Sequence, residues 1–337
     1  MQILRNLPEN FDKKHLCYFE PNLKINVPEP GWKRFSKKIL LLSNGILITR
    51  LNIEKESLLY DTRLKDIGGT VALLKMIVKS VAMGQISTIK DDGRYITIVN
   101  EWSNNFFHWF TEAVPKLYCF LHIDEKPIIL LPSNHAFPFQ KRTLEILGFK
   151  YKYFYGKGLV CNNVYLPFRL APSSAQYNPE VLKLLALQLK SGVNLNEGKG
   201  DRIYVTRAKA NRRKIVNEQD VLGKVKSLGF YVIDFEDYNL DEQISIMHNA
   251  KILVSIHGAG LTNMIFCKSG SGVLELSLKN QVMDKCYFNL ANAMDLKYYY
   301  QFCESDNDLN DYHSADIFVD SNELEKNLNK MISKIYV

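Results

Sequence analysis

From residue 202 onward the chain alternates short apolar runs with segments whose apolar residues return every three or four positions. The runs at 202–206, 230–235, 251–256, 272–276 and 297–302 predict strands. Between them, 218–228 (closed by Gly229), 241–249, a segment opening after the loop 257–260, and 282–294 predict helices, with a last helix at the C-terminus. Short apolar strands, each followed by a helix, imply a parallel sheet covered by helices, because parallel strands need crossover connections. The same alternation starts less cleanly at residue 94, with strands at 95–99, 127–131, 150–155 and 159–166 and helices at 104–121 and 137–147, the latter ending at Gly148. Residues 1–60 predict irregular structure and short strands with a turn at Asn44-Gly45, and 70–83 predicts a helix. The polar, proline-containing stretch 167–179 is the best linker. The pattern is therefore α/β, with a first lobe over 1–172 (Rossmann-like over 61–172) and a second over 173–337. Two Rossmann-like lobes with parallel sheets facing a cleft account for all of it.

Composition narrows the class. The 337 residues are 46% hydrophobic and 12% aromatic, with only 18 glycines and 11 prolines, which excludes disordered, collagen-like and low-complexity chains. The formal charge of +7 is unevenly placed. Seven basic residues against one acid fall between Lys199 and Lys214, and eight acids with no Lys or Arg between Glu304 and Glu325. That concentration points to a focused anion site. The six cysteines are scattered, without CxxC or zinc spacing, and read as reduced thiols. The first 15 residues lack the pattern of a signal peptide, and the most apolar stretch, 39–51, is broken by Ser43, Asn44 and Gly45. The expected compartment is the cytoplasm, with peripheral association at the inner face of the membrane allowed.

Three clusters carry candidate chemistry. His257, Gly258, Ala259, Gly260, Leu261, Thr262 and Asn263 stand where a strand ends and a helix begins. Open α/β sheets bind ligands there, glycines admit close backbone approach, and a helix start offers free N–H groups to an anion. The plainer reading is an ordinary tight turn. Arg207, Arg212, Arg213 and Lys214 follow another strand end; guanidinium groups bind phosphate oxygens in pairs, although a basic loop can also be merely solvated. Asn217 and Glu218 suit either a helix cap or a sugar or nucleotide contact, and Glu275 either a ribose contact or a buried paired acid.

The third cluster runs from Asn104 to Pro115. His108 and Glu112 lie four apart on one helix face among aromatics and can serve in general-base catalysis, or form a satisfied core pair. A zinc pair would need HExxH or further ligands, which are missing. Asp306-Asn307-Asp308 imitates a metal-holding DxD but reads as a solvated acidic loop, and 70–83 as a buried helix whose lysines reach to solvent.

The stretches Asn105-Phe106-Phe107-His108-Trp109-Phe110-Thr111-Glu112-Ala113-Val114-Pro115, Tyr204-Val205-Thr206-Arg207 with Arg212, Arg213, Asn217 and Glu218, and His257 to Asn263 followed by Gly272 to Leu276, resemble in order and spacing glycosyltransferase family 61. The resemblance implies a GT-B-like fold, an inverting mechanism without an essential metal or cofactor, and a nucleotide-sugar donor, UDP-linked. It implies as acceptor a glycan or lipid-linked glycan in capsule or surface polysaccharide synthesis, and no nucleic-acid partner. Carried over by position, Glu112 is the catalytic base with His108 assisting, and Asn105 and Trp109 lie on the acceptor side. Arg207, Arg212, Arg213, Asn217, Glu218, the 257–263 loop and Glu275 lie on the donor side. Where relatives often carry Arg-Asp after the first arginine, this chain has Ala208-Lys209. The alternative is a non-catalytic nucleotide- or nucleic-acid-binding module using the basic strip, whose binding would weaken steeply with salt.

Overall fold

The computed structural model describes residues 2–3, 6–12, 25–26, 29–49, 52–53, 69–170, 176–196, 198–278, 285–306 and 314–336. Internal contacts divide the chain into two compact units, Pro28–Ser173 and Met1–Val27 with Ser174–Val337. The sequence pattern had kept residues 1–27 with the first lobe. The described segment 6–12 instead bonds to the strand Lys297–Phe302, Glu9 N–H to the Tyr298 carbonyl at 2.8 Å and Asn10 Nδ2 to the Tyr300 carbonyl at 2.7 Å. An edge strand leaves such groups open, and this segment fills them.

The unit Pro28–Ser173 holds two five-stranded sheets. In the first, strands β1 (Trp32–Phe35), β2 (Tyr95–Ile96), β3 (Ile128–Pro132), β4 (Tyr151–Phe154) and β5 (Val164–Pro167) lie in the order β4-β3-β2-β5-β1. All pairs are parallel except β5 with β1. The second sheet is mostly antiparallel and contains the hairpin Ile39–Leu42 and Leu47–Thr49. The expected purely parallel Rossmann sheet is therefore replaced here by mixed pairing. The Asn44-Gly45 turn closes the hairpin with Gly45 at φ 85°, and a Cβ on Gly45 would strike the Val99 carbonyl oxygen at 2.1 Å.

The helix Gly69–Ala82 also departs from expectation. Ser80 is buried and Ile77 packs on Leu42 and Ile46, but Leu74, Val78, Val81 and Met83 are exposed. Among the described side chains of this helix only Ile77 and Ser80 turn inward.

In the second unit, strands β6 (Arg202–Val205), β7 (Tyr231–Ile233), β8 (Ile252–Ile256), β9 (Gly272–Ser277) and β10 (Lys297–Phe302) form one parallel sheet in the order β7-β6-β8-β9-β10. Every residue of β8 and β9 is buried, as expected of strands covered on both faces. Tyr204, Val254, Leu274 and Tyr299 pack there with Leu324, Leu328 and Met331 of the C-terminal helix Ser321–Ile335. The strand order reverses between β6 and β8. That switch point leaves a crevice at their carboxyl ends, which are Val205 and Ile256.

Cys161, Cys267 and Cys303 are buried and unpaired, and burial pushes each thiol up to about 12. No helix among the described residues is long and apolar enough to cross a membrane.

Candidate active site

The segment carrying His108 and Glu112 is helical from Phe106 to Phe120, but not uniformly α-helical. Asn105 opens it as an N-cap, its side chain accepting from Phe107 N–H at 2.8 Å. Trp109–Ala113 then widens into a π turn, and Val114–Phe120 tightens into a 3₁₀ helix. Pro115 gives the physical reason. It has no N–H to donate and its ring crowds the preceding turn, so Val114 N–H bonds back to Trp109 instead. Single π turns of this kind often sit at functional sites, and this one holds Glu112.

Both Glu112 oxygens are engaged. Oε1 lies 2.8 Å from His108 Nδ1, and Oε2 accepts from Asn100 Nδ2 at 2.9 Å. The carboxylate side chain is 6% exposed and the imidazole 21%. With Nδ1 turned to Glu112, the imidazole nitrogen left to meet a substrate hydroxyl is Nε2. Such a pair can act with the acid orienting a histidine that accepts a proton, the reverse of the order carried over by the family resemblance, in which Glu112 is the base. Asn100 is itself fixed, its Oδ1 accepting from Trp102 N–H and from Ser103 Oγ, each at 2.9 Å. Gln140 Nε2 continues the network to the Ser103 carbonyl at 2.8 Å.

One turn beyond Glu112, Lys116 is buried with Nζ donating to the Ile98 carbonyl at 2.9 Å. Burial pushes its ammonium down to about 8, while the Glu112 charge works in the opposite sense. The unfolded chain keeps this proton up to about 10.5, so between 8 and 10.5 it binds more protons than the folded one, and stability rises with pH. Below that window both states are charged and the cost of burial is present in full. Lys116→Met should flatten the rise in urea-unfolding free energy across this window. An unchanged slope would show that another group titrates there.

In the second unit, Arg207 and Arg213 gather at the switch point. Both are half-buried, both Nε atoms are enclosed without a partner, and no carboxylate among the described residues lies within ion-pair distance of either. Burial lowers the proton affinity of both guanidiniums; Arg207 adds to this at Arg213, whereas Tyr287, Glu236 and Asp234 work in the opposite sense at Arg207. Arg213 sits at φ 58°, a left-handed backbone that costs a non-glycine residue on the order of 1 kcal/mol or more. Arg207 lies across Gly258, where a Cβ would come within 2.7 Å of Nη1. The loops after β6 and β8 thus meet through a guanidinium over a glycine. Beside them, His257 Nδ1 lies 2.5 Å from Glu275 Oε1, and Tyr298 OH donates to Glu275 Oε2 at 2.5 Å. The Tyr287 ring abuts the imidazole edge-on at 5.0 Å. The result is a cationic pocket with unspent donors, suited to an anion with several oxygens.

The family model for Glycosyltransferase 61 matches residues 106–274, half of the chain, and takes in both the His108–Glu112 pair and the arginine pocket. The chain belongs to glycosyltransferase family 61. It is 32% identical over 107 residues to the EGF domain-specific O-linked N-acetylglucosamine transferase of Bos taurus, covering 30% of this chain and 20% of that protein. The Mus musculus protein of the same name is 29% identical over 102 residues, 29% of this chain and 19% of its own length. The chain thus spans about a fifth of the length of the curated relatives it matches. The family match begins after Asn100 and ends one residue before Glu275, so one of the two partners of Glu112 and the carboxylate partner of His257 lie just outside it.

The structure redistributes several residues that the family resemblance groups together. Trp109 is 0% exposed, with Nε1 donating to Thr143 Oγ1 at 3.3 Å; it is core and cannot touch an acceptor. Leu261, Thr262 and Asn263 are also buried, because the short helix Ala259–Phe266 packs against the helices Pro179–Ser191, Leu240–Asn249 and Cys286–Ala293. Only His257, Ala259 and Gly260 of that loop keep partial exposure. Asn217 occupies the N-cap position of its helix, but its side chain makes no cap bond; the amide clasps Val319 instead, donating to the carbonyl at 2.9 Å and accepting from the N–H at 3.0 Å. Glu218 accepts from Thr206 Oγ1 at 2.5 Å, bracing the end of β6. Glu275, bonded through both oxygens and 2% exposed, is a buried paired acid.

The basic strip is likewise broken up. Lys209 pairs with Asp237 and Arg202 lies over Tyr336, whereas Arg212 is exposed. Among the described residues no three His, Cys, Asp or Glu side chains group to hold a metal ion, and Asn307 and Asp308 of the DxD lie outside the described residues.

Sequence reasoning missed Asn100, Lys116 and Trp102. A lysine four residues after Glu112 in an apolar helix is a legible signal for Lys116. Asn100 and Trp102 carry none beyond following a strand.

Proposed function

We propose that this chain is an inverting glycosyltransferase that moves a sugar from a UDP-linked donor to a hydroxyl of a glycan acceptor in surface polysaccharide synthesis. The acceptor oxygen attacks the anomeric carbon, the bond from that carbon to the diphosphate breaks, and the hydroxyl proton passes to His108. Glu112 holds the imidazole and offsets the charge it gains. Arg207 and Arg213 take up the negative charge of the departing diphosphate, the role a divalent cation would otherwise fill, so transfer is metal-independent. A GT-B arrangement of the two units is part of this proposal. The single observation that carries it is the pair of half-buried guanidiniums at the switch point, without a carboxylate partner among the described residues and with both Nε atoms unsatisfied. The names of the relatives make N-acetylglucosamine the first sugar to try.

The test is a melting screen with UDP, GDP and CMP, in EDTA. A ligand at a hundredfold excess over its dissociation constant stabilises by about 2.7 kcal/mol, so UDP should raise the melting temperature by several degrees. No shift with any nucleotide would overturn the donor assignment. A shift that requires added cation would overturn its metal independence.

A further inference from the structure

Trp109 was the aromatic residue that the motif placed beside the acceptor, and it is sealed in the core. A different tryptophan stands next to the proton-accepting pair. Trp102 is 44% exposed, and its ring centroid lies 6.0 Å from that of His108 with the planes tilted by 30°. Its backbone N–H is held by Asn100 Oδ1 at 2.9 Å, while the same side chain gives Nδ2 to Glu112 Oε2 at 2.9 Å. One amide thus sets both the acid and the backbone that carries the indole.

The chemistry of a sugar acceptor makes this placement informative. A hydroxyl losing its proton must come within about 3 Å of the base, which brings the pyranose carrying it to the neighbourhood of His108. An indole face carries partial negative charge, and its rim is apolar with one N–H. A pyranose whose ring C–H groups project together on one face, as in gluco-configured sugars, presents the matching partial positive charge and apolar area. Resting on the transfer reading above, we propose that Trp102 is the platform on which the acceptor sugar stacks, selecting pyranoses with an uninterrupted C–H face. It binds the acceptor and takes no part in proton transfer.

The experiment compares wild type, Trp102→Ala and Trp102→Phe on an array of immobilised gluco-, manno- and galacto-configured oligosaccharides, with UDP-induced melting shifts measured alongside. Wild type should retain glycans whose exposed pyranose keeps its axial C–H groups on one open face. The axial hydroxyls of manno- and galacto-configured sugars project from the opposite side and leave that face uncovered. Trp102→Ala should lose about tenfold in retention, the size of an aromatic stacking contact, and Trp102→Phe should stay within about threefold of wild type. The UDP shift should be the same in all three. Equal retention by Trp102→Ala, no retained glycan in wild type, or a UDP shift lost in Trp102→Ala would each overturn the platform. A wild type that binds glycans but shows no UDP shift would instead overturn the donor reading and leave the platform standing.

Discussion

Glu112→Gln should lower the rate of sugar transfer by about 10³–10⁴-fold while leaving the UDP-induced melting shift intact. Both carboxylate oxygens accept hydrogen bonds, from His108 and from Asn100. A glutamine in the same place offers one acceptor and one donor. If its oxygen stays with Asn100, its amine faces His108 Nδ1, which must then be unprotonated. The ring proton moves to Nε2, the nitrogen that would have to accept from the substrate, and the histidine is held in the wrong tautomer. The loss should be strongly non-additive: Glu112→Gln with His108→Ala should be little slower than either alone, because the two act as one unit. Removing the Glu112 charge also withdraws support from buried Lys116, so the variant should release the lysine proton at lower pH. Single-turnover transfer at saturating UDP-sugar measures the main effect. Activity within tenfold of wild type would remove the pair from the chemistry.

Arg207→Ala should weaken UDP by about 10–100-fold, the worth of one or two hydrogen bonds to a charged group, and should slow the bound complex by about a further 10²-fold. Arg207→Lys should recover only part of this, since an ammonium cannot bind two phosphate oxygens as a fork. The unliganded protein should behave in the opposite sense. Burial disfavours the charged state of both Arg207 and Arg213, and Arg213 is further repelled by Arg207, while Glu236 and Asp234 favour the charge on Arg207 from beyond ion-pair distance. Deleting Arg207 relieves that repulsion and leaves no carboxylate among the described residues without its ion-pair partner. The melting temperature of the empty variant should therefore match or exceed that of wild type, while its UDP shift falls. A fall in the unliganded melting temperature with UDP affinity unchanged would make Arg207 a structural residue.

How much of this was legible depended on the kind of pairing involved. In the second unit β8 and β9 are covered on both faces, so their sequences are continuous apolar runs whose ends mark the ligand-facing loops. The helix around Glu112 was legible as a helix, but its periodicity cannot register the π turn. The first sheets were read as simpler than they are, because Gly158–Cys161 pairs antiparallel with Ile39–Leu42, more than a hundred residues earlier, and no local pattern records that choice.

By itself the sequence determined the α/β class, the strand ends that carry Arg207 and His257, and the facing of His108 and Glu112. All of these follow from local periodicity and spacing. Only the tertiary structure decided that Glu275 spends its oxygens on His257 and Tyr298, that Asn100 joins Glu112 to Trp102, and that Trp102 rather than Trp109 meets solvent. Those outcomes depend on sheet register and on which side of a helix is covered by elements distant in the chain. Two tryptophans seven residues apart are chemically alike; the packing around each decides which is core and which is exposed.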